Sequence, residues 1–227
     1  MPTIHGRGLL RDVATIPCAD EALWRSGRYR RGAIDLLERD DLLDAAYSYR
    51  IVALDEPPSD MLRAGGETLD ALRLVPKSGQ LTALGVGICT LGPALERRAS
   101  ALFAERRMSL ALALDRLGNE LLSALSRRVQ DRIIIEARRR GLTTAGELRA
   151  GDPGLPLSAQ TAVHRLAGAE EIGVSVTPGQ VLHPLKSMSM VLGIGINLPP
   201  ALWSRCDDCP SAPRCRMSGR TAVPAMI

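Results

Sequence analysis

The stretch CDDCPSAPRCRM places Cys206, Cys209 and Cys215 within ten residues, in a chain that has only Cys18 and Cys89 besides. A thiolate is a soft ligand suited to zinc and to iron–sulfur clusters. The Cys-x-x-Cys spacing turns two thiolates onto one centre, and Cys215 joins them if the loop folds back. Pro210 and Pro213 stiffen that loop and lower the entropy cost of ordering the ligands. Arg205, Arg214 and Arg216 would offset the thiolate charge. Three thiols are one short of a four-thiolate site. Cys18, Cys89, His183 or an external molecule could complete it. Cys89 sits in an apolar run and reads first as a small core residue, so Cys18 is the preferred fourth ligand. An iron–sulfur cluster, of the 4Fe-4S kind, is favoured over zinc because a cluster tolerates one iron held by an exogenous ligand. Zinc and a redox-active thiol pair remain alternatives.

The composition bounds the partners. The 227 residues carry a net charge of +4, and 45% of them are hydrophobic. That is enough for one large domain, or for a domain with an appendage. Aromatic residues make up 3%, too few for the stacking platforms of single-strand nucleic-acid binding. Arginine supplies nearly all the positive charge, the only lysines being Lys77 and Lys186. The paired arginines read as solvated helix faces, with docking to an acidic surface as the sharper alternative. The N-terminus lacks a sustained apolar core, and the apolar stretch 188–203 is broken by Gly193, Gly195, Pro199 and Pro200. A cytoplasmic protein with no membrane span is expected. In that compartment a Cys-x-x-Cys cluster points to metal or redox chemistry rather than to a structural disulfide.

The elements that must carry these groups follow from periodicity. Residues 32–49 read as a loosely amphipathic helix closed by Pro57 and Pro58. LTALGVGICTLG, 81–92, is a buried strand whose glycines allow close backbone approach. Pro93 opens a helix through ALERRASALFAERR. Over 109–140, Leu114, Leu117, Leu121, Leu125, Val129 and Ile133 recur every three or four residues and define one long amphipathic helix, with Gly141 as its stop. The loop LRAGDPGLPL leads into a helix from about residue 158, with Ser158 as a candidate N-cap. IGVSVT and KSMSMVLGIGI are strands on either side of a Pro178-Gly179 turn. Helices and strands do not alternate regularly, so the fold class is α+β.

Three stretches, LRLVPKSGQLTALGVGICTLGPALERR, LALDRLGNELLSALSRRVQDRI and LRAGDPGLPLSAQTAVHRLAGAEEIGVSVTPGQVLHPLKSMSMVLGIG, occur in the same order as in a known family. The chain resembles free-standing relatives of the activation (reactivation) domain of cobalamin-dependent methionine synthase, which end in a cysteine cluster. The resemblance implies a curved, twisted antiparallel sheet flanked by helices. It divides the chain into an N-terminal helical segment at 1–64, the reactivation-like domain at 65–198 and a cysteine-rich tail at 199–227. It also implies S-adenosylmethionine in a shallow groove and docking on a corrinoid protein or corrinoid methyltransferase whose inactive cobalt is to be reduced. Arg149 matches the arginine of the family's ligand loop, where it can fork onto a carboxylate. Gly151 and Gly154 match its close-approach glycines, and Leu155 stands where the family has tyrosine. Asp115, Lys186 and Ser187, with Ser189 beyond, fall on the stretches that border the groove. No DxHxxG motif is present, so the corrinoid would be presented by a partner. The implied function is reductive reactivation of a corrinoid methyltransferase, with the tail cluster as an electron port. The alternative is a non-enzymatic binding module with a structural zinc or cluster.

Overall fold

A computed structural model describes residues 27–201. Its first element is helix α1 (Gly27–Arg39), followed by strand β1 (Ala46–Ala53). Two short strands, β2 (Leu62–Ala64) and β3 (Glu67–Leu69), form a hairpin, and a 3-10 turn at Leu72–Leu74 leads to β4 (Gln80–Thr90). Helices α2 (Ala94–Ala104) and α3 (Met108–Arg139) come next, then β5 (Thr143–Leu148). A 3-10 turn at Leu157–Ala159 precedes α4 (Gln160–Ala167), and β6 (Ser175–Val176), β7 (Leu182–His183) and β8 (Ser187–Ile196) complete the domain. The main sheet is antiparallel in the order β1-β4-β8-β5. The class is therefore α+β, with one long helix laid on an antiparallel sheet.

The sheet separates two cores. On one face α3 buries Leu114, Leu117, Leu121, Leu125, Val129 and Ile133 against Cys89, Met190, Leu192 and Ile194, with α1 and α2 packed outside it. On the other face α4 and the 3-10 turns bury Leu155, Val163 and Leu166 against Leu84, Val86, Ile88 and Val191. Gly85 and Gly87 on β4 face α3. A Cβ on Gly85 would lie 2.5 Å from Ile133 Cγ2, so only bare backbone lets the helix settle this close. The long helix ends as its residues dictate. Gly141 takes φ +72°, and its N–H and that of Leu142 close onto the Arg138 and Ala137 carbonyls at 2.9 and 3.0 Å.

Three sequence readings need correction. Residues 46–49 are strand, not the end of a helix: Tyr47 pairs with Cys89 and Tyr49 with Gly87. Tyr47, Tyr49, Ile51 and Val52 suit a half-buried strand, and an available sheet edge decides a segment whose local periodicity is weak. Ser158 is not the N-cap of α4. It sits inside the preceding 3-10 turn, and the cap residue, Ala159, offers no side-chain hydrogen bond. Residues 143–148, given no element above, form the edge strand β5 beside β8.

β5 contains a bulge that positions the site. Its register with β8 shifts between Ala145 and Glu147, at Gly146, which takes φ +68°. A one-residue insertion flips every following side chain to the other face. Ala145 and Leu148 therefore both enter the α4-side core, while Glu147 pairs with Leu192 on the α3 side. Arg149 follows Glu147 onto that side.

Candidate functional site

Three of the side chains expected to act, Asp115, Lys186 and Arg149, come together along the seam between α3 and the start of β8. On α3, Asp115, Asn119 and Ser126 are spaced by about one and two helical turns and share a face. Lys186, just before β8, and Met188 on it are alternate residues and point toward that face. Lys186 Nζ donates to Asp115 Oδ1 at 2.6 Å and to Asn119 Oδ1 at 2.7 Å, with the Lys186 side chain only 11% exposed.

The Arg149 guanidinium occupies the next stretch of the seam. Its Nε donates to Glu147 Oε1 at 3.0 Å, Nη2 donates to Ser126 Oγ at 3.3 Å, and Nη1 meets the Met188 thioether. Glu147 and Arg149 are both largely buried, at 16% and 17% side-chain exposure. Arg149 is thus not the surface cation at a helix end that its sequence context permits. It is a strand-end residue turned inward by the Gly146 bulge. A thioether and a neutral hydroxyl are weak acceptors for a guanidinium. A carboxylate makes stronger, charge-assisted bonds to a guanidinium.

Other expected residues stand apart. Gly151 and Gly154 take φ +96° and +93° in a loop closed on itself, where Gly151 N donates to Leu155 O at 2.9 Å and Arg149 N to Asp152 Oδ2 at 3.0 Å. Gly154 turns to the opposite side of the sheet, where an added Cβ would lie 3.1 Å from Arg73 Cβ. Leu155 is fully buried in the α4-side core. Ser187 points away from α3. Its Oγ donates to the Pro184 carbonyl at 2.6 Å and lies 2.8 Å from Thr90 Oγ1. Ser189, also on the α4 side, is buried and donates to Gln160 Oε1 at 3.2 Å.

Cys206, Cys209, Cys215 and Cys18 lie outside the described residues. Of the other candidates for a fourth metal ligand, Cys89 is fully buried between Tyr47 and Met188. Burial pushes its thiol up to about 12, only partly opposed by the nearby Arg149 charge. A thiol held neutral in an apolar core is a poor ligand. His183 is exposed, with Nδ1 3.9 Å from Glu96 Oε1. Among the described residues no cluster of His, Cys, Asp or Glu could hold a metal ion. Nor is any helix among them long and apolar enough to cross a membrane.

Sequence reasoning missed Glu147, Ser126, Asn119 and Met188. Only Gly146, a lone glycine inside TTAGELR, carried a signal, since an isolated glycine in a strand marks a bulge. An open pocket of about 520 Å³ lies elsewhere, lined by Tyr29, Gly32 and 106–110, and contains none of the expected site residues.

An antiparallel sheet carrying one long helix, with a largely buried arginine in the seam between them, defines an α+β domain with a candidate carboxylate-binding residue. Among solved structures the chain is similar to one described as the MetH reactivation domain bound to AdoHcy, with a TM-score of 0.57 and 13% sequence identity over 88% of this chain and 72% of that one. At that identity the likeness establishes the fold: the chain has the fold of a cobalamin-dependent methionine synthase reactivation domain. No family model matches it, and no curated protein does.

Proposed function

We propose that this protein is an accessory factor for reductive reactivation of a corrinoid-dependent methyltransferase. It would dock on a corrinoid protein, hold an adenosyl-type ligand in the α3 seam and relay an electron through a cluster in its C-terminal tail. The observation that carries this reading is the fold, which is shared with a reactivation domain seen bound to AdoHcy. The chain's own residues agree with the ligand. Arg149 reaches the seam, where Nη2 donates to Ser126 Oγ and Nη1 meets the Met188 thioether, and a guanidinium there suits the ligand's carboxylate.

The donor set of the tail also agrees with a cluster. Cys206, Cys209 and Cys215 are soft ligands at short spacing, and the burial of Cys89 leaves Cys18, His183 or an exogenous group for the fourth position. Such a cluster supplies one-electron transfer, and S-adenosylmethionine supplies a methyl group. The protein's part is to hold both beside the docked partner, with Asp115 and Lys186 closing the other end of the seam.

Anaerobic purification followed by iron, sulfide and zinc quantitation tests the electron port. Iron and sulfide in stoichiometric amounts are expected, with cluster absorption in the visible. Stoichiometric zinc without iron would sink the relay and leave a structural metal in a binding module. Titration with AdoHcy tests the ligand reading, which absence of binding would overturn.

A further inference from the structure

The pocket of about 520 Å³ at the corner of α1 and α3 is built from the starts of both helices and from the tight turn that joins α2 to α3. We propose that it seats a segment of this same chain, residues 19–24 (ADEALW). Leu23 and Trp24 fill its apolar part, and Asp20 and Glu21 face Arg106 and Arg107. The segment lies outside the described residues, directly ahead of α1. The inference does not depend on the adenosyl-ligand reading above.

The walls select the occupant. Tyr29, Met108 and Leu110 supply apolar surface, and Gly32 carries no side chain to close the gap between them. Met108 is 63% exposed, and Leu112, one turn further along the same face of α3, is 59% exposed. Apolar side chains exposed together mark a contact surface. The rest of the pocket is cationic. Arg106 and Arg107 stand at the positive end of a 32-residue helix whose first turn has no acid and whose cap residue offers no side-chain hydrogen bond. Cations there are unfavourable unless an anion faces them. Glu105 is already held by Arg98 at 2.7 Å and reaches Arg107 at 3.6 Å. Arg106 has no carboxylate partner among the described residues. The fitting occupant carries large apolar groups beside negative charge.

Residues 19–24 have that pattern: two acids, no cation, then leucine and tryptophan. Connectivity supplies the rest. Trp24 is five residues from Tyr29, a span of at most about 18 Å when fully extended, so the segment reaches the pocket without a linker. A tethered group acts at an effective concentration in the millimolar range, above that of a second copy in dilute solution, which favours the chain's own segment. Seating would also hold Cys18, six residues ahead of Trp24, to this end of α3, which restricts where it can meet the thiols of the tail.

The test uses fluorescence of the full chain. Trp24 and Trp203 are its only tryptophans, so a Trp203→Phe parent reports on Trp24 alone. Its emission should be shifted to the blue, and acrylamide should quench it several-fold less than it quenches N-acetyltryptophanamide. Met108→Glu, at an exposed position, removes apolar wall and sets a competing acid beside the arginines. It should return emission and quenching toward the free values, with helix content by circular dichroism unchanged. Asp20→Lys combined with Glu21→Lys leaves every described residue in place and should do the same. Added salt should raise quenching in the parent, because the charge pairing is screened. Solvent-like emission from Trp24 in the parent would overturn the proposal. So would shielding that survives either change, since Trp24 would then be buried elsewhere. Shielding that fades on dilution, with a dimer in sedimentation, would overturn it as well, by making a second copy the occupant.

Discussion

At φ +68°, Gly146 lets β5 carry one extra residue, and the side chains after it change faces. Arg149 was legible in the sequence as a candidate only through the family resemblance of its loop, because guanidinium chemistry alone does not single out one arginine in a chain with 29 Lys and Arg. Its partners were not, since Ser126 and Met188 lie 23 and 39 residues away along the chain. Cys89 was legible as a core residue, and its titration carries a prediction. Its thiol is raised from 9.0 in the reference state to about 12 in the fold, because burial disfavours the thiolate. The sign follows: between those values the unfolded chain has released a proton that the folded chain retains. The contribution is whole below about pH 9 and is lost as pH rises toward 12. Urea denaturation under reducing conditions should therefore show the wild type losing stability relative to Cys89→Ala as the pH is raised from 8 to 10, by about 1.4 kcal/mol per unit once the free thiol is titrated. A difference between the two proteins that stays flat with pH would contradict the assignment.

Among the elements, α3 was the most legible, because its apolar repeat holds from Leu114 to Ile133 and needs no partner to be recognised. The structure places it at Met108–Arg139, one residue from the sequence expectation at each end. What periodicity could not tell is how closely it approaches the sheet. That depends on Gly85 and Gly87, whose missing side chains admit Ile133 and Val129. Ile133 is wholly buried at this contact, and Ile133→Ala should cost about 3 kcal/mol of unfolding free energy, since bare glycines cannot refill the cavity. Chemical denaturation checks this. A loss under about 1 kcal/mol would mean the helix collapses onto the sheet after truncation. The opposite case is residues 46–49, whose helical reading failed. Eight residues of mixed pattern have no decisive period, and pairing with β4 settled their state.

For the whole molecule, the sheet order β1-β4-β8-β5 makes β4 and β8 the shared wall of both cores. Hydrogen exchange should follow that order. The amides of Val86, Ile88, Val191 and Leu192 should be the slowest in the protein, while those of the short β6–β7 hairpin exchange through local opening. Uniform exchange across all strands would mean that the domain opens only as one unit. By itself the sequence determined the thiol cluster of the tail, the long helix, the two glycine-bearing strands and the α+β class, because each is a property of residue type or of local period. The tertiary structure alone decided that 46–53 joins the sheet, that Glu147 and Arg149 face α3, and that Lys186 meets Asp115 while Gly154 turns away. Those outcomes depend on register and on contacts between distant segments. A one-residue shift in a strand moves a charged group from one side of the sheet to the other without altering any local pattern.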